Sequence, residues 1–262
     1  MGRLSPIEWT DHTFNPWWGC EKVSPACAHC YAEAWARRVG QNVWGKDTER
    51  RFFSDEHWRE PIRWGREAAQ SGERRRVFCA SMADVFEHRA DLESSRKRLW
   101  ALIGQTPSLD WLLLTKRPER IRKLVPWTTK WPRNVWIGTT AENQKFYEER
   151  VSHLMDVPAA VIFLSCEPLL GPIKLRRSDR VDWIIVGGES GAHARPMNPK
   201  WARDLRDQCD RRGMPFFFKQ WGEWAPVTDT KAEQELIRVG KKAAGRMLDG
   251  TTWNGLPTAR LK

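Results

Sequence analysis

Six short apolar runs, each interrupted at its end by polar residues, constrain this chain more than any other feature. They are Val77-Phe78-Cys79-Ala80, Trp111-Leu112-Leu113-Leu114, Val135-Trp136-Ile137-Gly138, Val161-Ile162-Phe163-Leu164, Trp183-Ile184-Ile185-Val186 and Phe216-Phe217-Phe218. Runs that are apolar at every position suit strands buried on both faces, as a parallel sheet requires. Between most of them the sequence reads as helix, over 91–103, 142–155 and 199–212. Strand–helix alternation predicts βαβ units. The expected fold is α/β, a single-domain partial (β/α) barrel of about six or seven mostly parallel strands, because 262 residues are few for eight full units. Residues 1–220 would form this core. Residues 40–75 read as a helical excursion within it. Residues 221–262, where the rhythm stops, read as an extension packed on the core. Within it, Gly240-Lys241-Lys242-Ala243-Ala244-Gly245-Arg246 is a glycine-bracketed basic loop or ribbon, suited either to phosphate or to a solvated turn.

In parallel α/β folds the active site lies at the carboxyl ends of the strands. Six successive ends here carry polar groups, which helix capping alone does not explain. By position, Ser81, Asp84, Thr115, Glu142 and Asn143 are candidate cofactor contacts, and Lys116, Glu167 and Cys166 are candidate catalytic groups. Gly187-Gly188-Glu189 follows the fifth run and by itself reads as a glycine turn leaving a strand, with an acidic group at the strand end.

Three of the six cysteines fall within eleven residues, as Cys20, Cys27 and Cys30 in a C-x6-C-x2-C spacing. Clustered thiols in a chain of this size read as metal binding rather than as a disulfide framework. Cys27 and Cys30 are one helical turn apart, and Cys20 comes from the loop before them. Three thiolates suit an iron-rich site. A structural zinc needs four closed ligands. His29 would be the fourth, although between Cys27 and Cys30 its side chain points away from the plane that the sulfurs share. Free thiols are the third reading. Cys79 and Cys209 read as packing.

These segments resemble a known group. Ile7-Glu8-Trp9-Thr10-Asp11, Asn15-Pro16, Gly19-Cys20, Ser24-Pro25, Cys27-Ala28-His29-Cys30-Tyr31-Ala32-Glu33, Ser81-Met82-Ala83-Asp84-Val85-Phe86, Leu114-Thr115-Lys116-Arg117-Pro118, Glu167-Pro168-Leu169, Gly187-Gly188-Glu189-Ser190-Gly191 and the Gly240–Arg246 stretch span nearly the whole chain. They are similar to a family of phage and bacterial proteins of uncharacterised function, described as radical-SAM-like three-cysteine-motif proteins, relatives of the radical S-adenosylmethionine (SAM) superfamily. The superfamily's usual spacing is C-x3-C-x2-C, so this chain has three extra residues in the first gap. The resemblance implies a [4Fe–4S] cluster on Cys20, Cys27 and Cys30 with one iron left open to chelate SAM. An external electron donor would then drive cleavage of SAM to a 5′-deoxyadenosyl radical. It also implies that Gly187, Gly188 and Glu189 correspond to the element that receives the SAM ammonium, although here that element follows a much later strand than in the superfamily.

The formal charge of +11 favours an anionic partner, and 17 tryptophans, several beside basic residues as in Trp58-Arg59, Arg63-Trp64, Lys130-Trp131 and Lys200-Trp201, can stack bases or pack a core. A nucleic-acid base or nucleotide is therefore the expected substrate. The alternative is a zinc- or Fe–S-containing nucleic-acid-binding protein without SAM chemistry. No apolar run is long enough to span a bilayer and the first residues lack a signal-peptide core, so the expected place is the cytoplasm, with no membrane partner.

Overall fold

Each of the six runs becomes a strand, and a seventh precedes them. The computed structural model describes residues 5–227 and 235–258. Its main sheet comprises β1 (His12–Thr13), β2 (Arg75–Cys79), β3 (Leu109–Thr115), β4 (Val135–Thr140), β5 (Val161–Cys166), β6 (Trp183–Gly187) and β7 (Phe216–Gln220). All seven are parallel and lie in sequence order.

Side-chain alternation divides the apolar residues between two faces. Val77, Cys79, Trp111, Leu113, Ile137, Ile162, Leu164, Cys166, Ile184, Val186, Phe216 and Phe218 belong to the larger core, beneath the helices. Phe78, Leu112, Trp136, Val161, Phe163, Trp183, Ile185 and Phe217 gather with Trp9 in a second, inner core. That inner core reveals the curl. The Trp9 ring lies 4.6 Å from the Phe78 ring on β2 and 6.2 Å from the Trp183 ring on β6. Four strand spacings in a flat sheet would separate β2 from β6 by about 19 Å, too far for one indole to touch both. The sheet is therefore a half-barrel with an aromatic plug. Gly138 makes room for it, since a Cβ there would sit 2.4 Å from the Phe163 ring.

The connection from β1 to β2 holds the cysteine segment, α1 (Tyr31–Arg38) and α2 (Asp55–Ser71). Later crossovers use α3 (Glu93–Gln105), the short α4 (Ile121–Leu124), α5 (Gln144–Val151) and α6 (Pro199–Asp210). Residues 167–182 join β5 to β6 without a helix. Asn143 and Asn198 cap α5 and α6, accepting hydrogen bonds from Phe146 N and Lys200 N.

Beyond β7, the chain turns through an antiparallel ribbon, β8 (Trp224–Pro226) with β9 (Leu236–Arg238), into α7 (Lys241–Ala244). Residues 1–4, 228–234 and 259–262 of the sequence's proposed units lie outside the described residues. Trp221 and Leu248 are buried in the larger core. Residues 253–255 then run along β7: Phe218 N donates to Trp253 O at 3.1 Å and Gly255 N to Phe216 O at 2.9 Å. Arg246, at the end of the basic stretch, donates to Asn254 Oδ1 and lies over the Phe217 ring, so it ties this tail to the sheet. Among the described residues, no helix is long and apolar enough to cross a membrane.

Gly138→Ala is expected to destabilise the fold by about 1–3 kcal/mol through overpacking against Phe163. Urea unfolding measures this as a lower midpoint at unchanged slope.

Candidate functional site

The cysteine segment leaves β1 and crosses the carboxyl ends of the neighbouring strands. Gly19 adopts φ +117°, and a Cβ there would meet Val43 O at 2.3 Å and Arg50 Cδ at 2.6 Å. Only glycine can pass that point, so it fixes where Cys20 emerges. Gly19 N donates to Met82 O at 2.9 Å, which joins the loop to the one after β2. Cys27 and Cys30, expected one helical turn apart, do not share a helix. Pro25 opens a 3-10 turn over Pro25–Cys27, and α1 begins only at Tyr31. Cys30, extended at φ −60° and ψ 117°, occupies the N-cap position, where the amide end of a helix favours a thiolate.

Cys20, Cys27 and Cys30 line one cavity at the mouth of the half-barrel. Of the residues expected from strand-end position, Ser81, Asp84, Thr115, Lys116 and Glu167 line it too. Burial pushes the Cys20 thiol up to about 12, against the pull of the Arg117 cation, and burial also raises Cys30. A metal that binds here therefore has to displace thiol protons.

Two polar assemblies support the loop. Asp84 is buried and accepts from Thr115 Oγ1 at 2.7 Å, Lys116 N at 3.1 Å, Arg117 Nη1 at 2.9 Å and Phe86 N at 3.0 Å. With its oxygens so committed, Asp84 organises the site rather than meeting a ligand. Asn15 donates to Ser81 Oγ and accepts from Met82 N, while Tyr31 Oη donates to Ser81 O at 3.0 Å. On the far side of the cavity, Lys219 pairs with Glu167 at 2.6 Å, and Ser165 Oγ lies 3.2 Å from Glu167 Oε1.

The remaining expected residues lie elsewhere. Cys166 is fully buried in the larger core, because alternation turns it outward while Ser165 faces the cavity; it is a packing residue, not a catalytic one. Glu142 is fully buried against Arg150 at 2.8 Å, and Asn143 is the cap of α5, so both are structural. Gly187 abuts Glu167, and a Cβ on it would lie 3.2 Å from Glu167 Oε2. Gly188 packs on Trp221, whose carbonyl a Cβ would meet at 1.8 Å. Glu189 is held by Arg195 at 2.6 Å, and Arg195 also donates to Pro25 O in the cysteine loop at 2.9 Å. Conversely, Trp9, Thr140, Ser165, Arg117 and Lys219 line the cavity without having been selected. Period-two alternation would have picked Ser165 over Cys166.

Trp58 and Trp64 are buried at 4%, under Arg98 and His12 respectively, so they pack rather than stack bases. Tyr31 and Trp35, both on α1, are exposed aromatics next to the cysteine loop.

Among the described residues, no three His, Cys, Asp or Glu side chains converge as a mononuclear metal would need. His29 is exposed, its ring 5.7 Å from that of His193. A polynuclear cluster, which offers each thiolate its own iron, does not require the sulfurs to meet at a point.

No curated protein matches the sequence. Among solved structures, a spore photoproduct lyase variant with bound AdoMet and a dinucleoside spore photoproduct is similar, with a TM-score of 0.46 and 13% identity over 81% of this chain and 57% of that one. The chain thus spans little more than half the length of that structure. A family model described as "Protein of unknown function (DUF5131)" matches residues 4–257, from before β1 to beyond the tail on β7, and the chain belongs to that family.

Proposed function

We propose that this protein is an iron–sulfur enzyme of the radical SAM kind, with Cys20, Cys27 and Cys30 holding a [4Fe–4S] cluster, and that it acts on a nucleic-acid base or nucleotide. The observation that carries the reading is that all three thiols of one loop share the barrel-mouth cavity, while Cys79, Cys166 and Cys209 are buried away from it. Three protein ligands leave a fourth iron for SAM. When bound, the cluster and SAM supply one-electron reductive cleavage and, from it, hydrogen abstraction. This chain's residues bind and shield. Glu167, paired with Lys219, is a carboxylate of the cavity lining that an ammonium would meet, with Lys116 and Lys219 also on the lining for a carboxylate or phosphate. Trp9 and Phe78 close the floor against water. Six unpaired cysteines suit a reducing cytoplasm.

Cys20→Ala, Cys27→Ala and Cys30→Ala are each expected to abolish the broad thiolate-to-iron absorption at about 400 nm in anaerobically reconstituted protein. Cys79→Ala should keep it. One zinc per chain and no iron after anaerobic purification would end the cluster reading.

Reduced wild type is expected to release 5′-deoxyadenosine from SAM without added substrate. Glu167→Gln should raise the SAM concentration for half-maximal release at full iron content. Glu189→Gln should instead lower iron content, because Arg195 then loses its anchor and its hold on Pro25. Chromatography of the nucleoside and iron assay distinguish the two. Loaded protein that never cleaves SAM would point to a cluster-bearing binding protein.

The charge of +11 and the exposed Tyr31 and Trp35 support a nucleic-acid substrate. Single-stranded DNA or RNA is expected to bind at about 50 mM salt and to weaken steeply by about 200 mM, as condensed counterions are released. Duplex should bind less well, since a stacked base must first be flipped out. Mobility shifts at the two salts measure this, and absence of binding at the lower salt would redirect the search to a small nucleotide.

A further inference from the structure

Arg117 is the one cation in direct reach of a cysteine sulfur that the hydrogen-bond pattern of the described mouth residues singles out. Its Nη1 lies 3.7 Å from Cys20 Sγ and its Nη2 donates to Glu21 O at 2.9 Å, so one guanidinium grips the first cysteine and the following peptide. The group is fixed from behind. Nη1 also donates to Asp84 Oδ2 at 2.9 Å, and the Arg117 amide donates to Thr115 Oγ1 at 2.9 Å. Pro118 opens a 3-10 turn just after it, restricting the Arg117 backbone. The Arg117 and Asp84 side chains are only 5% and 7% exposed. A donor so anchored and so dry acts strongly on whatever charge its neighbour carries.

We propose that Arg117 is a positioning residue for the cluster: it holds Cys20 in ligating position and, through its N–H aimed at the sulfur, raises the cluster's reduction potential. The inference rests on the cluster reading given above. Reduction adds an electron, and hydrogen bonds and positive charge at the ligand sulfurs stabilise that more negative state. Lysine keeps the charge but is a compact point donor, unable to reproduce the planar fork that spans Cys20, Glu21 and Asp84 together. The three extra residues between Cys20 and Cys27, relative to the common spacing, leave Cys20 on a longer loop, which makes an external clamp useful.

The test compares full-length wild type, Arg117→Gln and Arg117→Lys after anaerobic reconstitution, by iron content, resistance to a chelator and redox titration followed by electron paramagnetic resonance. Arg117→Gln is expected to shift the reduction equilibrium at least tenfold towards the oxidised cluster, a midpoint lower by about 59 mV for each tenfold, and to lose iron to chelator several-fold faster. Arg117→Lys should move both in the same direction by less. Iron-loaded Arg117→Gln with a wild-type midpoint overturns the proposal. If that variant fails to fold, Arg117→Lys decides, and a wild-type midpoint there overturns it equally. Wild type that takes up no iron is a separate failure: it sinks the cluster reading, and this inference with it.

Discussion

Burying a parallel sheet on both faces leaves its strands almost no freedom to carry polar side chains along their length. Every residue from Val161 to Leu164, or from Trp183 to Val186, faces one core or the other. Polar chemistry is then possible only where the strands end, and the curl about Trp9 brings those ends together around a common space. The mouth is thus a product of the packing below it. Thr140, Ser165 and Lys219 stand on the inward positions that follow Trp136, Phe163 and Phe217, one or two steps beyond the last apolar residue.

The loops above that rim are held by charge. Arg50 with Glu87, Arg117 with Asp84 and Arg150 with Glu142 are ion pairs with side chains no more than 7% exposed. Pairs so buried seldom add much net stability, since desolvation offsets the attraction. Their effect is on shape, because removing one partner leaves an uncompensated charge. Arg50 shows it clearly: it donates to the carbonyls of Val43, Gly45 and Thr48 and so sets the turn that leaves room only for Gly19. The pairs at Asp84 and Glu189 act likewise on the cysteine loop from two sides, through Glu21 and Pro25.

The barrel was legible in the sequence because its signal is local: each of the six apolar runs carries its own burial on its face. The first strand escaped since His12–Thr13 is two residues long and polar, paired with β2 only by virtue of the assembled sheet. Among the residues that line the cavity, Cys20, Cys27, Cys30, Lys116 and Glu167 could be picked by spacing or strand-end place. Cys166 could not be separated from Ser165 without the parity of the strand. Glu142, Asn143 and Glu189 look like ligands in one dimension, and only the fold reveals Arg150, a helix start and Arg195 as their partners. Tryptophan beside arginine was ambiguous for the same reason, and at Trp58 and Trp64 the core has taken the ring.

The three-residue tail along β7 has a consequence for how the molecule survives in a crowded solution. Phe216-Phe217-Phe218 is the stickiest strand of the sheet, and it lies at the margin, where unpaired amides and carbonyls would invite another chain to dock. Residues 253–255 satisfy that margin from the same polypeptide, with Arg246 as their fastener. A chain cut before Trp253 would leave the amide of Phe218 and the carbonyl of Phe216 without these partners. The edge of the sheet most open to pairing with another chain is therefore closed by a stretch far in sequence from the residues that line the cavity.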